Sequence, residues 1–143
     1  MKIRYILSII ILLIISLSII LYIPSNNNID FCKSVLVANT PTLREKGLSG
    51  MESLPEDSTI FFVFDKPDKY GIWMKDMNFP IDIIWLDKDY EVIHIEENIP
   101  PDSYPKIYYP EDNSLYIIET NANYSSRNNI KKGSILNVYK NCD

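Results

Sequence analysis

The sequence is poor in the residues from which metal and nucleophile sites are built. Histidine occurs once, at His94, and cysteine twice, at Cys32 and Cys142. Clustered ligands at zinc-site spacing are therefore absent, and no metal or cofactor is expected. A Ser-His or Cys-His nucleophile would have to use His94. It sits between Ile93 and Ile95 in a strand-like run, where an ordinary sheet histidine is the simpler expectation. A basic excess is also lacking. The formal charge is −5, and removing Lys2 and Arg4 leaves −7 on the rest of the chain. Such a domain does not attract nucleic acid or anionic lipid surfaces. There is no internal repeat, and no low-complexity run beyond a short asparagine stretch.

Charge is missing altogether from Tyr5 to Ile23, about 19 residues interrupted only by Ser8, Ser16 and Ser18. A helix needs roughly 20 apolar residues to cross the hydrocarbon layer, and a lone span there must be helical to satisfy its own backbone. Pro24 ends the run, and Ser25-Asn26-Asn27-Asn28 reads as a solvated linker. A cleaved signal peptide and a buried core helix are the rival readings. Leu21-Tyr22-Ile23-Pro24 offers no small-x-small cleavage pattern, and no lipobox precedes Cys32. The expected organisation is thus a cytoplasmic n-region and transmembrane anchor over 1–24, a linker over 25–30, and a globular domain over 31–143. Lys2 and Arg4 precede the span, so the positive-inside rule leaves the N-terminus in the cytoplasm and the domain outside a prokaryotic plasma membrane. The two cysteines bracket that domain, which suggests a Cys32–Cys142 disulfide for an exported protein. Two unrelated thiols are the alternative. A bond closing so long a loop contributes roughly 4–5 kcal/mol in the chain-entropy picture.

The globular part reads as mainly β, a compact sandwich or barrel with one or two short helices. Strands are expected over Phe31–Ala38, Thr59–Asp65, Tyr70–Lys75, Ile81–Asp87, Tyr90–Glu97, Leu115–Thr120 and Ser134–Lys140. Asp87-Lys88-Asp89 should turn a hairpin. Thr40-Pro41 opens a helix that ends before Gly47, and Asn121 could cap a second helical turn through Arg127. Asn98–Asn113 carries Pro100, Pro101, Pro105 and Pro110, which predicts a long ordered loop.

The chain carries, in order, Val37-Ala38-Asn39-Thr40-Pro41, Arg44-Glu45-Lys46-Gly47-Leu48-Ser49-Gly50, Leu54-Pro55, Phe62-Val63-Phe64-Asp65, Trp73-Met74-Lys75-Asp76-Met77, Pro80-Ile81-Asp82, Glu119-Thr120-Asn121-Ala122 and Lys132-Gly133. This order of motifs resembles the domain-of-unknown-function 192 family of bacteria and archaea. The motifs span roughly Phe31 to Lys140. The resemblance implies a mainly-β, sandwich-like fold, often exported or anchored, with no established reaction. This chain departs from the pattern at Ile60-Phe61, where glycine-methionine is usual, at Asp102, where cysteine is common, and at Asn123, where glycine is usual. A disulfide between Cys32 and Cys142 would therefore not be one the family shares.

Strand parity singles out two carboxylates, because alternate residues share a face. Asp82 continues the stripe of Ile84 and Leu86; Glu119 continues that of Leu115 and Ile117. A carboxylate on an apolar face is wet, or buried and paired. Arg44 and Lys75 are the expected partners, either as a structural salt bridge or as a ligand pocket made of Arg44, Trp73, Lys75, Asp82 and Glu119. Trp73, with Phe79 and Trp85, could form an aromatic wall suited to sugar rings or peptide segments, or could simply be core. Three functions are open at this level. One is a non-catalytic binding domain for an envelope glycan, peptide or protein. Another is an envelope hydrolase recruiting two of Asp76, Asp82 and Glu119. The last is a structural partner of another envelope protein, using the Asn98–Asn113 loop.

Overall fold

The computed structural model describes residues 28–31, 34–56 and 58–138, with backbone alone for 28–31 and 34. The expected anchor over 1–24, Cys32 and Cys142 lie outside the described residues. Among the described residues no helix is long and apolar enough to cross a membrane.

The elements are strands β1 (Asn28–Phe31), β2 (Ser34–Ala38), β3 (Ser58–Asp68), β4 (Ile72–Trp73), β5 (Ile81–Leu86), β6 (Val92–Ile99), β7 (Ile107–Tyr108), β8 (Ser114–Asn121) and β9 (Ile135–Val138). Helix α1 covers Pro41–Lys46 and α2 covers Tyr124–Arg127. Five strands form one mixed sheet in the order β2-β3-β8-β5-β6, while β1 pairs with β9 and β4 with β7 as two-stranded ribbons. No sheet closes into a barrel among the described residues, so the barrel alternative is set aside: β2 and β6 are open edges of the central sheet.

The first expected strand, Phe31–Ala38, corresponds to β2, and β1 ends at its first residue. The pairing of β2 with β3 is parallel, which a tight turn cannot produce. Helix α1 and the loop behind it supply the crossover. The helix follows its local signals: Thr40 Oγ1 accepts from Leu43 N at 3.3 Å, Pro41 fills the first turn, and Gly47 ends it at φ 49°. The Asp87-Lys88-Asp89 turn joins β5 to β6 in antiparallel register. The proline-rich stretch is an ordered loop as expected, with one surprise. It contributes β7, which pairs Ile107 with Trp73 and Tyr108 with Ile72.

All six residues of β5 are buried, because the sheet is covered on both sides. On one face Ile60, Phe62, Ile83, Trp85 and Ile117 pack under Leu48, Leu54, Met74 and Tyr108. On the other, Phe61, Ile84, Leu86, Val92 and Ile118 pack against Tyr124, Ile130 and Leu136. Each such fully buried aliphatic side chain contributes roughly 1.5–3 kcal/mol relative to exposure. The expected strand Tyr70–Lys75 contracts to Ile72–Trp73, since Met74 dives into the core and a turn begins at Lys75.

Candidate functional site

Register between β5 and β8 decides where the two suspected carboxylates go. Asp82 lies opposite Thr120, and Ile83 opposite Glu119. Residues directly opposite share a face, so Asp82 and Glu119 occupy opposite faces of the sheet although they are near neighbours on adjacent strands.

Asp82 is fully buried and saturated. Its Oδ1 accepts from the backbone N–H groups of Asn98 (2.9 Å) and Asn123 (3.0 Å), and its Oδ2 from Ser125 N (2.8 Å). A four-residue helix cannot satisfy its own first N–H groups. Asp82 caps α2 from a neighbouring strand and ties it to the end of β6. Its partners are thus backbone donors, and the expected pairing with Arg44 or Lys75 does not form.

Glu119 is equally hidden, 4% exposed, with a different environment. No hydrogen bond or ion pair engages its carboxylate among the described residues. Burial pushes its pKa up to about 8, which favours the neutral acid at pH 7. It forms the floor of a cleft of about 170 Å³ between α1, the Gly47–Ser49 loop, β3 and β4. Gly47 packs beside it at φ 49°: a Cβ there would meet Glu119 Oε2 at 3.8 Å and Phe62 Cζ at 3.5 Å, ordinary contacts, so the backbone conformation and not the space favours glycine.

The wall is aromatic. Phe62, Phe64, Tyr70 and Trp73 all line the cleft. Phe64 and Tyr70 stack with centroids 3.5 Å apart and rings 10° from parallel. Tyr70 is fixed at its hydroxyl, which donates to Lys66 O at 2.8 Å; burial and then the Asp68 charge raise its pKa. Arg44 reaches from α1 across β3. Its Nη1 donates to Val63 O at 2.7 Å, and its guanidinium lies 5.0 Å from the Phe64 ring centre, a cation–π distance. Glu45 and Lys46 stand exposed at the mouth. The loop is lashed down by Ser49 Oγ donating to Lys75 O at 2.8 Å and by Gly50 N donating to Asp76 O at 2.8 Å.

Of the five expected site residues, Arg44, Trp73 and Glu119 meet at this cleft. Lys75 does not: its side chain is exposed past the end of β4, and only its carbonyl touches the loop. Asp82 does not, being on the other face. Trp85 is wholly core, with Nε1 donating to Tyr70 O at 2.9 Å, and Phe79 packs half-buried against the same core. The real wall, Phe62, Phe64 and Tyr70, went unmarked in the sequence, although Ile60, Phe62 and Phe64 alternate in β3 in a way that parity could have exposed. His94 meets Trp85 edge-on at 5.3 Å and Glu96 at 3.5 Å, away from the cleft. Among the described residues no cluster of His, Cys, Asp and Glu could hold a metal.

The profile of the family DUF192, described as "Uncharacterized ACR", matches residues 23–138. This chain belongs to the DUF192 family. No curated protein matches it. Among solved structures it is similar to a protein of Sinorhizobium meliloti 1021 described as a proposed transcription regulator, at 28% identity and TM-score 0.66, covering 69% of this chain and 76% of that one. It is also similar to a protein of unknown function from Novosphingobium aromaticivorans DSM 12444, at 28% identity and TM-score 0.65, covering 69% and 70%. The family's arginine-x-x-glycine-leucine stretch is Arg44 to Leu48 here, and it builds one side of the cleft.

Proposed function

We propose that this domain is a non-catalytic binding module that takes a small ligand in the cleft floored by Glu119. The observation that carries the reading is a carboxyl group on a residue only 4% exposed, without a protein partner among the described residues, opening into a cleft beside an aromatic wall. A group held in that state costs folding energy, and a ligand supplying its missing hydrogen bonds recovers part of it. An acid whose pKa is strongly raised by burial, set in a cleft, is a candidate functional group. The hydrolase reading loses its pair of carboxylates. Asp82 faces away from Glu119, and Asp76 sits exposed in a turn outside the cleft. The regulator description of the Sinorhizobium protein has no counterpart in this chain's charge of −5, which disfavours phosphate contacts.

We further propose, from the apolar run Tyr5–Ile23 and the preceding Lys2 and Arg4, that the chain is anchored with its domain outside the plasma membrane. Protease added to intact protoplasts then removes the domain; full protection reverses that topology.

The cleft itself is tested by screening a small-molecule fragment library against the full chain by NMR. Hits should perturb the amides of Gly47, Trp73 and Glu119, and Glu119→Leu, which removes the buried acid and its hydrogen-bonding capacity, should abolish them. Fragments that bind elsewhere, or that bind Glu119→Leu as well as the parent, refute the reading.

A further inference from the structure

Beside the cleft runs an exposed apolar ridge. Trp73 is 42% exposed, Ile107 39% and Tyr109 54%. Trp73 and Ile107 are directly opposed in the β4–β7 ribbon, which puts both side chains on one face. Tyr109, two residues beyond Ile107, lies against the backbone at Gly71. A Cβ on Gly71 would come within 2.6 Å of both Ile107 Cγ2 and Tyr109 Cε1. The absent side chain lets the ridge lie flat against a residue that also lines the cleft, and Trp73 belongs to both features.

We infer that the cleft receives one ring of a saccharide and that the Trp73–Ile107–Tyr109 ridge carries the next ring of the same chain. This rests on the binding reading above and specifies its ligand. The cleft is open at its mouth and lined by aromatic and polar side chains together, a setting that suits a hydroxylated ring. The floor group must be matched by something that both donates and accepts, as a hydroxyl does and as a protonated carboxyl requires. A cationic ligand would meet Arg44 and Lys46, and an anionic one would enter a strongly acidic domain beside Glu45. A neutral polyhydroxyl ring avoids both costs. Arg44 keeps N–H groups beyond the one bonded to Val63 O and can donate to ring oxygens. The ridge then offers flat apolar surface to the C–H face of the adjoining ring.

The test uses the full 143-residue chain in a detergent without a sugar headgroup. It is titrated with the monosaccharides and trisaccharides of glucose, mannose, galactose and N-acetylglucosamine, and separately with a tripeptide mixture. Tryptophan fluorescence and saturation-transfer NMR give the affinities. At least one sugar series should bind, with the trisaccharide about fivefold tighter than the monosaccharide because two rings are engaged. Trp73→Ala should weaken the trisaccharide about tenfold and Trp73→Phe only about twofold, the difference expected for losing or keeping a stacking ring. Tyr109→Ala should erase the trisaccharide's advantage. Glu119→Gln, which still donates and accepts, should bind, and Glu119→Leu should not. Equal affinities for one and three rings, or a trisaccharide indifferent to Tyr109→Ala, overturn the ridge assignment. Tripeptides binding where no sugar does overturn the saccharide class and leave the cleft reading standing. No sugar binding, with fragments still held at the cleft, has the same meaning. If neither sugars, peptides nor fragments bind there, both readings fall together.

Discussion

The two faces of the central sheet each bury a carboxylate, and they treat it in opposite ways. On the α2 face, Asp82 receives three backbone N–H groups at 2.8–3.0 Å and holds a loop, a strand end and a helix start together. On the cleft face, Glu119 receives none, and burial alone sets its pKa near 8. Burial is the same; the supply of donors differs. A saturated buried charge is structural, because each hydrogen bond it accepts is already spent on the fold. An unsatisfied one leaves its hydrogen-bonding capacity available to something from outside. The contrast also explains their surroundings. Asp82 sits where chain reversals at Asn98 and Asn123, both at positive φ, turn amides inward. Glu119 lines a cleft with Gly47, Phe62, Phe64, Tyr70 and Trp73, and the Tyr70 hydroxyl is committed to Lys66 O.

The contrast can be broken most sharply at Asp82. Asp82→Ala leaves one buried and two part-buried N–H groups without acceptors, at a cost of roughly 2–5 kcal/mol. Urea unfolding should show that loss, and a variant close to the parent in stability would show that the cap is dispensable. Glu119 should behave the other way. Its folded pKa lies above the ordinary 4.5, so the native state keeps a proton that the unfolded chain has lost. Stability from this group is therefore complete below pH 4.5, falls as pH rises through the interval to about 8, and is lost above it. Glu119→Gln should remove that slope and stabilise the protein at pH 9 by on the order of 2–4 kcal/mol. Thermal melts of parent and variant at pH 5, 7 and 9 test this; parallel curves would mean that Glu119 is not a neutral acid in the fold.

Smaller effects sharpen the cleft side. Gly47→Ala forces a side chain into a left-handed conformation beside Glu119 and should cost about 1–2 kcal/mol, visible as a lowered denaturation midpoint. Trp73→Ala should change stability by about 1 kcal/mol or less, since its ring is almost half exposed, while weakening binding. A large stability loss there would assign Trp73 to the core.

Much of this arrangement could be read along single strands. Parity correctly grouped Asp82 with Ile84 and Leu86, and Glu119 with Ile117, because the period of a strand is local. Helix α1 was equally readable, since Thr40, Pro41 and Gly47 act within one or two turns of themselves. What parity cannot supply is register between strands. The β5–β8 pairing, set by tertiary packing, separated two carboxylates that sequence alone had put in one pocket. Lys75 was misplaced for a related reason. Alternation assumes a continuing strand, and β4 stops after Trp73. The ridge was hidden because β7 lies in a loop whose four prolines argue against strand, and two residues of pairing are enough to bring Ile107 and Tyr109 beside the cleft.

The central claim is that Glu119 stands neutral and unpartnered at the floor of an open cleft. Carbon-13 NMR titration of the Glu119 side-chain carboxyl in the full chain tests it directly. The structure predicts a midpoint near pH 8. A midpoint in the ordinary range near 4.5 would mean that the group is solvated or paired, and would contradict the account.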